Sequence, residues 1–259
     1  MRAAEPSPAT AVTRIVTDVD NLGDDLVLLS LNPGTGRVRT SQKIAYGLMG
    51  SELVRLVAAN RIGIAGGRLV VHSSAPTGHA ELDAALASIS QASRPPRAQR
   101  WVGHPRRGIA SAYLDRLTAA GVIRKERALT TRWRIADAAR VAEAQARVDA
   151  IASSDGPVDL TQAALGGLAH AIGLDAALYP GWGNRGLRRR FKDIADGGGT
   201  ASDPAMQQAA VAAATAATQA AVQAATEAAV HAAVQAAVDA SVSAAHSAGA
   251  AGHGGHSGH

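Results

Sequence analysis

Apolar residues recur along the chain in two rhythms, and these place most of its elements. Leu26, Val27, Leu28, Leu29 and Leu31 form a nearly unbroken apolar run behind Asp20 and Asn21, either of which can cap a helix. Asn32-Pro33-Gly34-Thr35-Gly36 supplies the turn chemistry that ends it. Thr40 or Ser41 can cap a second helix, whose imperfect apolar face is Ile44, Leu48, Val54, Leu56 and Val57 and which stops near Asn60. The rhythm then changes. Residues 61–64 and 68–71 flank Ala65-Gly66-Gly67, where the glycines can take the positive φ that a tight hairpin turn needs. After a break at residues 74–78, Leu82, Leu86 and Ile89 recur at helical spacing.

A basic, extended connector follows at Arg94-Pro95-Pro96-Arg97. The next helix is expected over 105–120, with Ile109, Ala112, Tyr113 and Leu117 on one face, Pro105 in its first turn and Gly121 just past its end. A second hairpin comes next. Its strands begin at Val122-Ile123 and return through Arg132-Trp133-Arg134-Ile135, and its tip is Ala128-Leu129-Thr130-Thr131. Further helices are expected over 138–151, 160–178 and 186–195. Gly197-Gly198-Gly199 marks a boundary, and beyond it alanine pairs repeat every four residues from Ala216 to Ser243. Such a period drifts by about 40° per repeat around a helix, so no stripe keeps one face. The expected architecture is mainly α: a tail at 1–17, one helical domain with short β-hairpins at 18–196, and an Ala-rich segment with a His/Gly end at 197–259.

Composition narrows the function. The chain has no Cys, so it offers no disulfide, thiolate nucleophile or cysteine zinc site. Outside the Ala-rich segment no run of 18 apolar, uncharged residues occurs, and residues 1–17 show no signal-peptide core, so a cytosolic protein is expected. No catalytic constellation stands out. Gly34-x-Gly36 lacks the third glycine and the preceding strand of a dinucleotide loop, and no phosphate-loop or serine-hydrolase signature occurs. His170 reads as a hydrogen-bonded core residue, Asp24-Asp25 as acids complementing a helix N-terminus, and the terminal histidines as low-complexity tail. Neither an enzyme, a metal site nor a cofactor is expected.

Charge is where the chain departs from the ordinary. All 26 basic residues precede Gly197, and 11 of them, against only Asp115 and Glu126, fall between Arg94 and Arg134. Such a field draws nucleic acid, anionic lipid or acidic protein. Arg106 and Arg107 are expected in the first turn of their helix, where a phosphate would meet free backbone N–H groups and guanidinium forks together, with Arg100 nearby. Leu129 and Trp133 among Arg127, Arg132 and Arg134 have the composition of a membrane-interface anchor; strand alternation would instead turn Trp133 to the core and its Arg neighbours outward. A rival reading takes helix, Gly stop and basic hairpin as a winged-helix, nucleic-acid-binding regulator.

A family pattern runs through the same segments. Ala75-Pro76-Thr77-Gly78 followed by Leu82-Asp83-x-Ala85-Leu86, with Leu26-Val27-Leu28-Leu29-x-Leu31, Gly47-Leu48-x-Gly50, Arg61-Ile62, Trp101, Ala120-Gly121-Val122-Ile123 and Leu168-Ala169-His170-Ala171, resembles the Golgi phosphoprotein 3 family in order and spacing. The Arg- and Ala-rich, Lys-poor composition fits a bacterial member, of actinobacterial type. The resemblance implies a mainly helical domain that sits peripherally on the cytosolic face of a membrane and binds phosphatidylinositol 4-phosphate. It further implies an adaptor that self-associates and takes protein clients. Of the lipid-pocket positions it implies, Arg107 carries the family's arginine, while Thr40, Met49 and Ala110 stand where the family has a tryptophan and two arginines.

Overall fold

A computed structural model describes residues 19–39, 43–127, 131–156 and 158–196. The expectations for the N-terminal tail, the Thr40/Ser41 cap, the hairpin tip at Leu129 and everything beyond residue 196 fall outside these residues.

Within them the chain is mainly helical with two antiparallel hairpins, as the patterning predicts. In order come α1 (Leu22–Ser30), α2 (Ile44–Ala58), β1 (Ile62–Ala65), β2 (Arg68–Val71), α3 (Ala80–Ser90), α4 (Ala98–Val102), α5 (Ile109–Ala119), β3 (Ile123–Arg127), β4 (Thr131–Ile135), α6 (Ala138–Ser153), α7 (Leu160–Ala171), α8 (Leu174–Leu178), a 3-10 turn (Trp182–Asn184) and α9 (Arg185–Ala195). The first hairpin pairs Ala65 with Arg68 around Gly66-Gly67, both at positive φ, the two-residue turn whose twist suits a hairpin. Gly121 ends α5: its N–H bonds Thr118 O, the Val122 N–H bonds Leu117 O, and its φ is +73°.

Two expected elements change and one unexpected element appears. The helix predicted over 105–120 begins only at Ile109, because Gly108 takes φ +80°, a left-handed conformation that no helix can run through. Pro105, Arg106 and Arg107 therefore form a turn ahead of α5, not its first turn. The helix predicted over 160–178 splits into α7 and α8 at Gly173, φ +73°, for the same reason. The five-residue α4 has no counterpart in the expectations; it buries Ala98, Trp101 and Val102.

The core forms around α1, which is apolar on nearly all sides and contacts α2, α5, α6, α7 and α8. Asp24 and Asp25 interrupt it. Asp25 stands in the first turn of α1, as its reading as a helix-start acid expects, but it is 1% exposed and has further partners. Arg140 Nη2 donates to its Oδ1 at 2.7 Å, and Arg147 donates from Nε and Nη2 at 2.8 Å, both from α6. The sequence signature at Ala75-Pro76-Thr77-Gly78 also acquires a structural meaning. The Thr77 N–H and hydroxyl donate to Asp83 Oδ1 at 2.7 and 2.8 Å, fixing the chain where it enters α3 and holding the Asp83 carboxyl below the usual carboxylate range.

Removing a buried charge from such a cluster strands its partners in a poorly solvated site. Asp25→Ala is expected to lower stability by about 3 kcal/mol in urea denaturation. A loss under about 1 kcal/mol would mean that α1 and α6 do not depend on this contact.

Candidate anion-binding surface

Most of the basic cluster lies on a few elements around the start of α5, and the fold sorts it into two groups. One group serves the interior. Arg106 Nη2 donates to both carboxylate oxygens of the fully buried Glu52 at 2.6 Å and to Glu81 O at 3.3 Å. Its guanidinium also lies 6.0 Å from the Trp101 ring. Arg116 reaches Asp24 and Glu81 and sits 4.8 Å over the Tyr113 ring. Arg55 on α2, itself 1% exposed, adds a contact to Glu81 at 3.4 Å.

The other group faces outward. Lys125 and Arg134 meet surface acids, Asp115 and Glu126. Arg100, Arg107, Arg124 and Arg132 are exposed and, among the described residues, meet no acid. Arg107 borders a cleft of about 450 Å³ between α3 and α5, whose wall also includes Glu81, Arg106, Gly108, Tyr113 and Arg116. No side chain caps α5; its first N–H, on Ile109, bonds Arg106 O at 3.2 Å, and this helix end lies beside the turn that carries Arg107.

A second cleft, about 520 Å³, is lined by Arg37, Val38, Ile44, Ala110, Thr131 and Trp133. Here the hairpin docks on the loop after α1: the Trp133 N–H donates to Gly36 O at 2.8 Å, and a Cβ on Gly36 would lie 2.8 Å from Trp133 O. The Trp133 ring packs half-buried against the core, whereas Arg132 and Arg134 are exposed, so strand alternation governs this strand. The indole N–H is buried and has no hydrogen-bond partner among the described residues. Arg37 is a residue that the sequence did not flag. It is remote from the cluster along the chain and nothing in its neighbours marks it; only the fold brings it to Ala110 and Trp133. Leu129 lies outside the described residues, as does the side chain of Arg127. His170 Nδ1 lies 2.9 Å from Asp175 Oδ2, matching the hydrogen-bonded reading.

The exposed face of α5 consists of Ser111, Ala112, Asp115 and Ala119 and carries no cation. A recognition helix lying in a groove of DNA would need phosphate-binding or base-reading side chains there.

Burial lifts the Glu52 carboxyl from its ordinary value near 4.5 to about 7, with the Arg106 charge pulling against the shift. A carboxyl with a raised folded pKa binds its proton more tightly in the folded state. Its stabilising contribution is therefore full below the ordinary carboxylate range and is lost as pH rises towards about 7. Between about pH 5 and about pH 7.5 the protein is expected to lose on the order of 2 kcal/mol relative to its Glu52→Gln variant. Parallel pH profiles of urea stability for the two proteins would show that Glu52 does not titrate in this window.

Residues 22–241 match the family model described as Golgi phosphoprotein 3 (GPP34). No curated protein sequence matches the chain. Among the described residues no helix is long and apolar enough to cross a membrane.

Proposed function

This chain belongs to the Golgi phosphoprotein 3 family, and on that premise we propose that it is a peripheral membrane adaptor that binds anionic phospholipid headgroups of the phosphatidylinositol 4-phosphate class. The reading rests chiefly on Arg107. It is exposed, meets no acid among the described residues, and stands at an uncapped helix N-terminus. A phosphate placed there gains a charge-assisted contact to the guanidinium and the partial positive charge of the helix end together.

The neighbouring residues divide the work. Arg106 is held by Glu52 and fixes the turn that presents Arg107. Arg100 and Arg132 add long-range attraction to a negative surface, each worth about 1 kcal/mol near such a membrane. The hairpin, with Arg127, Leu129 and Trp133, approaches the interface. Protein clients and self-association complete an adaptor's role on the cytosolic face; no catalytic step is assigned. The bare outer face of α5 gives the nucleic-acid reading no support.

Partitioning onto phosphatidylcholine vesicles doped with phosphatidylinositol 4-phosphate tests this. The full chain is expected to bind doped vesicles well above undoped ones, more weakly as salt rises. Arg107→Ala should lose about tenfold in affinity, the worth of one charge-assisted contact. Equal binding to neutral and doped vesicles would end the proposal. Arg106→Ala should act differently, lowering stability by about 3 kcal/mol through the stranded Glu52.

A further inference from the structure

Trp182 stands apart from every other aromatic side chain described. It is 77% exposed, and the one other exposed large hydrophobic among the described residues is Val70, at 38%. Leaving so large a ring in water is unfavourable, and a slack loop would let it fold back onto the protein. The loop here is not slack. Gly181 has φ +88° and ψ 168°, backbone open essentially to glycine alone. Arg188 Nη1 donates to Tyr179 O at 2.6 Å and to Gly181 O at 2.8 Å, and Asn184 Nδ2 donates to Pro180 O at 2.9 Å. Three successive carbonyls are thus tied to the start of α9, which is anchored by the buried Phe191 and Ile194. The Tyr179 ring lies 5.8 Å from that of Phe191 and secures the other end. The turn is built so that Trp182 stays outside.

The charge along this stretch of the chain is one-sided. No acidic residue occurs between Asp175 and Asp193, while Arg185, Arg188, Arg189, Arg190 and Lys192 do. Arg188 serves the loop carbonyls, Arg190 binds Ser154 Oγ and Gly156 O, and Lys192 pairs with Asp196. That leaves two. The Arg185 guanidinium lies 3.4 Å over the Trp182 ring, and Arg189, one helical turn on, is exposed and meets no acid among the described residues.

We infer that Trp182, with Arg185 and Arg189, is a second membrane contact, separate from the Arg107 site, in which the indole enters the headgroup layer of an anionic bilayer and the two guanidinium groups meet lipid phosphates. The inference rests on the membrane reading above. A bilayer fits better than a protein partner because of what surrounds the ring. A stable protein interface needs an apolar core within a patch of about 800 Å² per side, whereas Trp182 is flanked by Pro180, Gly181, Gly183, Gly186 and arginines, with no second exposed large hydrophobic side chain beside it among the described residues. An amphipathic ring and a pair of cations are what an anionic interface takes.

The full chain should be tested on phosphatidylcholine vesicles with and without a one-third share of phosphatidylserine. Trp182→Ala is expected to lower the partition coefficient on the anionic vesicles at least threefold, and Arg185→Ala and Arg189→Ala about fivefold each. The thermal midpoint should not move, since none of the three side chains is buried. Depth is read separately. In a Trp133→Phe background, brominated phosphatidylcholine should quench the remaining fluorescence, and the further change Trp182→Phe should abolish the quenching, leaving the buried Trp101 unaffected. If the parent protein binds anionic vesicles and Arg107→Ala weakens it, while Trp182→Ala binds like the parent and no quenching is seen, this inference fails and the Arg107 reading stands. If the parent protein makes no distinction between the two vesicle types, both fail.

Discussion

Buried carboxylates on α1 and α2 set the terms for the rest of the molecule. Asp25 and Glu52 are almost wholly removed from water, and Asp24 is mostly so. Each is tolerable only with a cation delivered to it, since an unpaired charge in such surroundings costs several kcal/mol. Arg140 and Arg147 arrive from α6, Arg116 from α5, and Arg106 from the turn before α5. Two of the helices that enclose α1, α5 and α6, are therefore held to it by charge as well as by apolar contact. The basic character of the chain is in part an internal requirement, and the field outside comes from the arginines left over.

That division also places the candidate site. Arg106 cannot leave Glu52 without stranding it, so the 105–108 turn is fixed, and Arg107, next in the chain, is presented at a defined place. The opposite wall of the same cleft is α3, whose start is locked by Thr77 on Asp83. The second cleft depends on a different lock, the Trp133 N–H on the Gly36 carbonyl, which brings Arg37 beside the hairpin. Interior bonds thus decide which arginines meet solvent.

The sequence made the regular features legible: the apolar run of α1, the Gly66-Gly67 hairpin, and the Gly121 stop each follow from a local rule. Two breaks did not show. Gly108 and Gly173 sit inside stretches with good helical periodicity, and periodicity does not reveal whether a glycine has taken a left-handed conformation. Asp25 read only as an acid complementing a helix end, because its partners are more than a hundred residues away. The short α4 is below the length at which an apolar period can register. The arginine cluster was visible as a count, but only the packing separated Arg106 and Arg116 from Arg100 and Arg107. Arg37 was beyond sequence reasoning altogether.

The same separation bears on the positions where the family resemblance expects cations and this chain has none. Met49 and Ala110 are such positions. Yet Arg106 Nη1 lies 3.6 Å from Met49 Sδ, and Arg37 borders the cleft that Ala110 lines. Positive charge therefore stands next to both positions although it is carried by neither residue. The two replacements are unequal. Arg106 is countered by Glu52, so the net charge there depends on a carboxyl that titrates near 7, whereas Arg37 meets no acid among the described residues. Under the proposed reading, a headgroup arriving at the first cleft meets Arg107 as a fixed, solvent-facing contact and, at Arg106, a charge that strengthens as pH falls, while Arg37 offers a further cation at the second cleft. Such an arrangement responds to the total negative charge of a lipid surface more than to the position of any one phosphate, because only one of its cations occupies a place that the family pattern defines.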